Sequence, residues 1–252
     1  MIEYTTPAER GAFWQRTIDP ERFRADHNYI GFQAEYPYEA VVEHLLSWSW
    51  NDAWSLDALE LIARLGEDED FGCTTSRVRD LTVSRDLLDS IQELLFLDRC
   101  GVIGGRVLDI GAGYGRMAHR MSSLSADKYT VVSTDAIEMS QRFCRRYLAH
   151  RRVSAAHPVV RPEAVPAHGP YDLAMNIHSW PECSRSEIHY WLDLLAQQEV
   201  PQLFVRPDDR EMTCSQDGQS FRPDIEARGY KVANHWCGPD CFPRDFYLFE
   251  LT

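Results

Sequence analysis

Residues 107–118 read VLDIGAGYGRMA and combine an apolar run, one aspartate and three glycines at alternate positions. Glycine is conformationally permissive but costs entropy on folding, so three of them within five positions need a structural reason. Open α/β sheets bind ligands at the carboxyl end of a strand, over the N-terminus of the helix that follows. We therefore predict a strand, a turn and a helix here, with Gly111, Gly113 and Gly115 letting the backbone approach a ligand.

The spacing and charge of this turn narrow the class of ligand. The spacing is G-x-G-x-G, whereas dinucleotide sites use G-x-G-x-x-G, and Asp109 precedes the first glycine by two residues. A carboxylate at that position repels a pyrophosphate and attracts a cation. S-adenosylmethionine (SAM) fits, since it carries a sulfonium and an ammonium and no phosphate. Asp135 lies twenty residues after Gly115 in VVSTDA, where a carboxylate can accept hydrogen bonds from both ribose hydroxyls.

Composition limits the possible partners. The chain has 252 residues and a formal net charge of −13, which argues against nucleic acid or an anionic membrane as the general partner. It contains no apolar run near 18 residues and no signal-peptide pattern, so we expect no membrane span and no secretion. The seven cysteines are odd in number and scattered, which favours reduced thiols in the cytoplasm.

The two parts of the chain differ in their hydrophobic periodicity. Residues 1–100 predict helices separated by turns, with helical spacing at 38–48, 56–65 and 84–97 and Ser84 as an N-cap. From about residue 105, strand-like runs alternate with helical ones, and two closing strands at 230–236 and 245–251 are joined by only eight residues. We predict an N-terminal helical annex or lid over residues 1–100. Residues 101–252 then form a doubly wound α/β domain, with a mostly parallel seven-stranded sheet and an antiparallel last strand.

The stretches RVLDIGAGYG and VVSTDA closely resemble the first two motifs of the class I SAM-dependent methyltransferases, and the closing strands resemble that family's terminal antiparallel pair. The resemblance covers about residues 85–252. It implies SAM as cofactor, S-adenosylhomocysteine as product, and a SAM site that includes Asp109, Gly111, Gly113, Gly115, Asp135 and Ala136. Two other readings stay open at this point: a glycine turn that only packs strand on helix, and an NAD enzyme.

The segment after the fourth strand, NIHSWPECS at 176–184, bears on the acceptor. Together with TVSRDLLDSIQELLFLDRCG at 82–101, it resembles bacterial sugar O-methyltransferases of natural-product biosynthesis, whose segment reads N-x-H-S-F-x-E-M. Trp180 replaces the Phe of that segment and Cys183 replaces its Met, so the resemblance does not fix the shape of the acceptor pocket. The resemblance implies that Asn176 lines the methionine end of SAM, and that Ser179, Trp180 and Glu182 contact a sugar or glycoside.

His178 is the candidate general base. A sugar hydroxyl is a poor nucleophile, so methyl transfer needs a group to take its proton, and an imidazole with a pKa near 6.5 suits that role. If strand alternation continues past Asn176, the two side chains face the same side. The alternatives are a methyltransferase for a phenol or carboxylate, and a SAM-binding protein without catalysis.

Three further residues are weaker candidates, each with a structural alternative. Arg85 could pair with the SAM carboxylate or form a surface salt bridge, and Glu163 could approach the adenine or lie in a solvated loop. Tyr29 could belong to an aromatic lid over the sugar or to packing within the annex. The His and carboxylate residues are too dispersed to predict a metal site.

Overall fold

The computed structural model describes residues 37–48, 58–65, 75–102, 104–124, 128–238 and 244–252. The predicted helices of the N-terminal part are present as α1 (Tyr38–Trp48), α2 (Ala58–Leu65) and α3 (Arg85–Arg99). Ser84 is the N-cap of α3, and its hydroxyl accepts a hydrogen bond from Leu87 N at 3.0 Å. In the part of the chain that the structure describes, no helix is long and apolar enough to cross a bilayer.

A β-hairpin precedes α3 and corrects the expectation that residues 1–100 contain only helices and turns. Strand β1 (Thr75–Val78) pairs antiparallel with β2 (Leu81–Ser84), and Arg79 in the turn adopts a left-handed φ of 55°. Strands of four residues are too short for an alternating pattern to stand out in the sequence. Pairing across the turn stabilises them instead.

The remaining chain forms the predicted doubly wound α/β domain. Its strands are β3 (Gly105–Ile110), β4 (Tyr129–Thr134), β5 (Val159–Val160), β6 (Leu173–Ile177), β7 (Gln202–Arg206), β8 (Tyr230–Cys237) and β9 (Asp245–Leu251). Its helices are α4 (Arg116–Leu124), α5 (Glu138–His150), α6 (Arg185–Gln197) and α7 (Arg222–Glu226), with 3₁₀ helices at Pro162–His168 and Trp180–Glu182.

The seven-stranded sheet has the order β5-β4-β3-β6-β7-β9-β8. Strands β3 to β7 are parallel, while β9 runs antiparallel to both of its neighbours, as the short connection before it predicts. The fold prediction is therefore confirmed. Strand β5 is only two residues long, and beside it His157 Nδ1 accepts a hydrogen bond from Val131 N at 3.1 Å.

Alternate side chains of each strand enter two separate core clusters, one on each face of the sheet. Val107 and Val131 pack with α3, α4 and α5, whereas Leu108 and Val132 pack with α6 and α7. Helices α1 and α2 bury their apolar residues in the first cluster, so they share a core with the sheet. Both faces are covered, as a parallel sheet requires.

The strand register brings the carboxyl ends of four strands to one edge. Ile110 pairs with Thr134 on one side and with Asn176 on the other, and Ile177 pairs with Arg206. The residues just beyond these pairs belong to four loops that are far apart in sequence. These loops carry the candidate site.

Candidate functional site

The glycine turn between β3 and α4 is built from left-handed backbone. Gly111, Gly113 and Gly115 have φ values of 74°, 55° and 88°, which side chains other than glycine rarely adopt. A Cβ at Gly111 would overlap Ser179, and one at Gly115 would lie 2.7 Å from the Cys144 sulfur. Nothing lies within 4 Å of a Cβ at Gly113. Two of the glycines thus make room for protein side chains, and Gly113 is the one that faces open space.

Asp135 joins this turn to the end of β4. Its Oδ2 accepts a hydrogen bond from Gly113 N at 3.2 Å, and its Oδ1 accepts one from Ile137 N at 2.8 Å. The amides of Gly111 and Ala112 both donate to Thr134 O, at 2.9 and 3.0 Å. The carboxylate is therefore fixed at the contact of two loops.

A cleft of about 520 Å³, open at its mouth, lies beside Asp135. Five predicted site residues line it, namely Gly111, Asp135, Ala136, Ser179 and Glu182. The other lining residues are Ile110, Ile137, Cys183, Glu187 and Trp191. None of these described lining residues is basic and three are carboxylates, so the cleft favours a cationic or neutral ligand over a phosphate.

Helix α6 contributes two cleft residues that the sequence reasoning missed, Glu187 and Trp191. Glu187 also closes a capping box, since its carboxylate accepts from Ser184 N while the Ser184 hydroxyl accepts from Glu187 N. The S-x-x-E pattern at 184–187 signals the start of a helix but not its place beside a cleft. That place depends on how α6 packs against the sheet.

Asn176 is fully buried and its amide is used within the turn. Its Nδ2 donates to Ile110 O at 3.1 Å and to the Ser179 hydroxyl at 2.5 Å, while its Oδ1 accepts from Trp180 N at 3.0 Å. These bonds tie the end of β6 to the end of β3 and place Ser179 against Gly111. The predicted contact of Asn176 with the methionine end of SAM would therefore be made in addition to these three hydrogen bonds.

Trp180 belongs to the core under the cleft. The indole is fully buried and meets the Phe221 ring edge-on, with 5.9 Å between the ring centroids. A side chain without exposed surface shapes the loop that carries its neighbours but does not itself reach a ligand. Of the three predicted acceptor contacts in this loop, Ser179 and Glu182 therefore lie at the cleft and Trp180 supports them.

His178 departs from the predicted strand alternation. Strand β6 ends at Ile177, and His178 has a left-handed φ of 61°, so its ring does not follow the side of Asn176. Its amide donates to Arg206 O at 2.9 Å, and its ring Nδ1 lies 2.5 Å from Asp208 Oδ1. The ring is thus turned toward the end of β7 and lies outside the residues that line the cleft.

The surroundings of His178 keep its imidazole neutral. Burial and the positive charges of Arg206 and Arg244 together lower the pKa of His178 to about 4, although the hydrogen bond and the charge of Asp208 oppose the shift. The pKa of His178 is therefore well below the ordinary imidazole value near 6.5. Near neutral pH the ring is therefore uncharged, and its Nε2 atom is buried.

Behind the glycine turn lies a set of six charged side chains, which we call the buried charge cluster: Arg85, Asp86, Asp89, Glu93, Arg116 and Arg206. Arg116 binds Glu93 with two hydrogen bonds, of 2.6 and 2.8 Å, and Arg206 contacts both Glu93 and Asp89. The cluster holds three carboxylates and three guanidinium groups, so its formal charge is balanced. It links α3, the start of α4 and the end of β7.

Two predicted SAM ligands lie in or beside this cluster. Arg85 is buried and its Nε lies 3.5 Å from Asp89 Oδ2, so its ion pair is internal and not on the surface. Asp109 is also buried, and burial raises its pKa to about 7, with Arg116 opposing and Glu93 and Asp135 reinforcing the shift. Asp109 is therefore partly protonated near neutral pH.

The last candidates are not brought to the cleft. Glu163 is exposed near the start of the 3₁₀ helix Pro162–His168, away from the cleft-lining residues. Tyr29 lies outside the described residues. Among the side chains that the structure describes, no group of three or more His, Cys, Asp or Glu residues is arranged to hold a metal ion.

No protein-family model matches the chain, and no curated protein matches it in sequence. Solved structures match its fold. Magnesium protoporphyrin IX methyltransferase from Synechocystis PCC 6803 with bound SAM is 13% identical, with a TM-score of 0.50 over 84% of this chain and 97% of that one. The same enzyme with bound SAH is 14% identical, with a TM-score of 0.50 over 84% and 100% of the two chains. A SAM dependent methyltransferase from Aquifex aeolicus is 16% identical, with a TM-score of 0.48 over 60% and 84%. The two structures with a TM-score of 0.50 show that the chain has the fold of the class I SAM-dependent methyltransferases.

Proposed function

We propose that this protein is a SAM-dependent O-methyltransferase that methylates a sugar hydroxyl on a deoxysugar or glycoside. The observation that carries the proposal is the meeting of an open glycine turn, at Gly113, with the Asp135 carboxylate beside an acidic cleft. A class I methyltransferase fold supports the same conclusion. The sugar acceptor rests on the resemblance of the segment at 176–184 and on the polar groups gathered there.

The residues of the cleft fit SAM. Two backbone amides hold the Asp135 carboxylate in place, and a carboxylate is a group that can accept hydrogen bonds from ribose hydroxyls. Ala136 and Ile137 give an apolar wall next to it. The absence of basic groups among the described lining residues suits a ligand that carries positive charge and no phosphate.

Bound SAM would supply a methyl group made electrophilic by the sulfonium. The chain's own part is to orient the acceptor and remove its proton. His178 is neutral near pH 7, and general-base assistance of this kind is worth roughly 10²–10⁴-fold in rate. Ser179 and Glu182 line the cleft, and their hydroxyl and carboxylate groups can bind other hydroxyls of the sugar.

The polar character of this edge separates a sugar from the rival acceptors. A phenol needs an apolar slot, whereas Ser179, Glu182, His178 and Asp208 present hydroxyl, carboxylate and imidazole groups. A carboxylate acceptor would meet the like charges of Asp135, Glu182 and Glu187. We further propose that residues 1–100 act as an annex that covers the acceptor, with Tyr29 in its lid.

Calorimetric titration tests the cofactor. SAM and S-adenosylhomocysteine should bind, and Asp135→Ala should weaken binding by about 1–3 kcal/mol because the ribose hydrogen bonds are lost. Asp193→Asn, on α6 and paired with Arg228 outside the cleft, is the matched control and should bind SAM normally. Binding of NAD without binding of SAM contradicts the proposal.

Methyl transfer tests the reaction. Labelled SAM is incubated with a panel of free deoxysugars, nucleotide deoxysugars, simple glycosides and phenols. We expect transfer to one of the sugar classes, and His178→Gln should lower kcat about 10²-fold while SAM affinity stays unchanged. Transfer to phenols alone would show that the acceptor is a phenol and not a sugar. SAM binding without transfer to any compound of the panel would favour a SAM-binding protein without catalysis.

A further inference from the structure

Positive charge is concentrated in one short segment of this acidic chain. Residues 139–161 contain six arginines and no Asp or Glu, whereas the whole chain has 39 acidic residues and 26 basic ones. Three of the six arginines lie in α5, two directly follow it and the last follows β5. The formal net charge of −13 therefore conceals a locally basic region.

Helix α5 directs its arginines to solvent. Cys144 and Leu148 on its inner side pack in the first core cluster, and three arginines lie on its outer side. Arg145 Nη2 donates to Val159 O at 3.1 Å, so this outer side adjoins β5 and the arginine that follows β5. The exposed arginines of the segment form what we call the arginine face: Arg142, Arg145, Arg146, Arg152 and Arg161.

The arginine face has no counterions of its own among the described residues. None of its five guanidinium groups forms an ion pair there, and Arg145 donates only to the neutral oxygens of Gln141 and Val159. Arg185 and Arg206, in contrast, each pair with carboxylates. A guanidinium group stays charged at all ordinary pH values. The described part of the chain therefore leaves this positive charge uncompensated.

The spacing of the arginine face matches a helix that carries carboxylates. Arg142 and Arg146 lie about one turn apart on α5, as do two residues four positions apart on any partner helix. From Arg142 to the last residue of α5, His150, the helix advances about 12 Å, which is about two turns. A guanidinium group binds a carboxylate through two parallel hydrogen bonds, so each arginine can hold one acidic side chain.

Other anionic partners fit this surface less well. Single-stranded nucleic acid binds by stacking on exposed rings, but Tyr147 of α5 is buried and Phe143 is half-buried. Duplexes need about 1,000 Å² or more of mainly basic surface, and the rest of this chain is acidic. A second copy would need an apolar centre for a stable contact, which five arginines do not supply. A compact acidic protein can contact the arginine face alone.

We propose that the arginine face is a docking surface for a compact acidic protein that presents carboxylates along a helix. The contact is electrostatic, so it is transient and sensitive to salt. Helix α5 begins at Glu138, directly after the cleft-lining residues Ala136 and Ile137, so a docked partner lies beside the cleft. This surface goes beyond the proposed function, because it requires neither SAM nor an acceptor.

Fluorescence anisotropy tests the surface with a labelled helical peptide that carries four glutamates at i, i+4 spacing. In about 50 mM salt the wild-type protein should bind the peptide, and about 200 mM salt should weaken binding at least about threefold. The double variant Arg142→Gln/Arg146→Gln should bind at least about fivefold more weakly, because two charge-assisted contacts are lost. The matched control Arg77→Gln/Arg222→Gln removes two exposed arginines elsewhere and should bind within about twofold of wild type.

Peptide binding that is absent or insensitive to salt, or that falls equally in both variants, overturns the proposal. Tighter binding of a single-stranded RNA than of the peptide also overturns it, since the face then belongs to nucleic acid. Salt-sensitive self-association in sedimentation velocity that Arg142→Gln/Arg146→Gln abolishes assigns the face to a second copy instead. Both variants should unfold within about 2 °C of wild type because the substituted side chains are exposed, so lost binding reports on the surface and not on the fold.

Discussion

Helices α3 and α6 begin alike and end up in very different surroundings. Each starts after a serine whose hydroxyl accepts a hydrogen bond from the third residue on, and each has leucines at helical spacing. Every residue from Arg85 to Leu97 in α3 is buried, including Asp86, Asp89 and Glu93. In α6, Glu187 is buried beside the cleft, whereas the Asp193 side chain on the outer face is 44% exposed.

The difference lies in what covers each helix. Helix α3 packs against the sheet, the β1–β2 hairpin and α1, α2 and α4, so no side of it faces solvent. Its charged groups are consequently stabilised by Arg116 and Arg206, which come from distant parts of the chain. Helix α6 covers the opposite face of the sheet and keeps one side in water. The same local pattern therefore supports a buried electrostatic centre in one case and an ordinary amphipathic helix in the other.

The largest expected effect comes from breaking the buried charge cluster. Glu93→Gln removes the carboxylate that binds both Arg116 and Arg206 and leaves three guanidinium groups with two carboxylates in the core. We expect the free energy of unfolding to fall by about 3–5 kcal/mol, measured by denaturant titration. The control is Asp193→Asn in α6, which breaks a partly exposed pair with Arg228 and should cost less than about 1 kcal/mol. Equal losses in the two variants would remove the distinction between the helices.

The next effect concerns Asp109, which lies near the cluster and whose pKa is raised to about 7 by burial. Between its unfolded pKa near 4 and about 7, the folded state retains a proton that the unfolded state has lost, so this group makes stability fall as pH rises. Asp109→Asn removes that dependence. The unfolding free energy of the variant relative to wild type should therefore rise by about 1–3 kcal/mol between pH 5 and pH 8.

Thermal or denaturant unfolding at several pH values measures this difference. The control is Asp172→Asn, on the exposed end before β6, which should give no comparable pH-dependent gain. If the unfolding free energies of wild type and Asp109→Asn change in parallel with pH, the carboxyl group of Asp109 is not held protonated by its surroundings.

The smallest effect concerns the feature that the two helices share. Ser84→Ala and Ser184→Ala each remove the hydroxyl that accepts from the first helical turn. Each substitution should lower the unfolding free energy by about 1 kcal/mol, because N-caps contribute about 0.5–2 kcal/mol. A loss of several kcal/mol at Ser84 alone would show that the cap also maintains the neighbouring charges of the buried charge cluster.

Much of the fold could be predicted because the determining signals are local. The glycine turn, the alternation of strands and helices, the short final connection and the serine caps each depend on a few consecutive residues. The parallel order then brings the strand ends to one edge, where Gly111, Asp135, Ser179 and Glu182 line one cleft. The β1–β2 hairpin was missed because its strands are too short to show a period.

The sequence by itself determined the α/β class, the strand ends that carry the site and the residues at the turn. Only the tertiary structure decided how these residues are used: Asn176 bonds within its own loop, Trp180 packs in the core, and His178 turns to Asp208. The contact between Arg206 and Glu93 joins residues 113 positions apart, and no local pattern specifies such a pair. Periodicity and capping act over one or two helical turns, whereas burial and charge pairing depend on which distant segments the folded chain brings together.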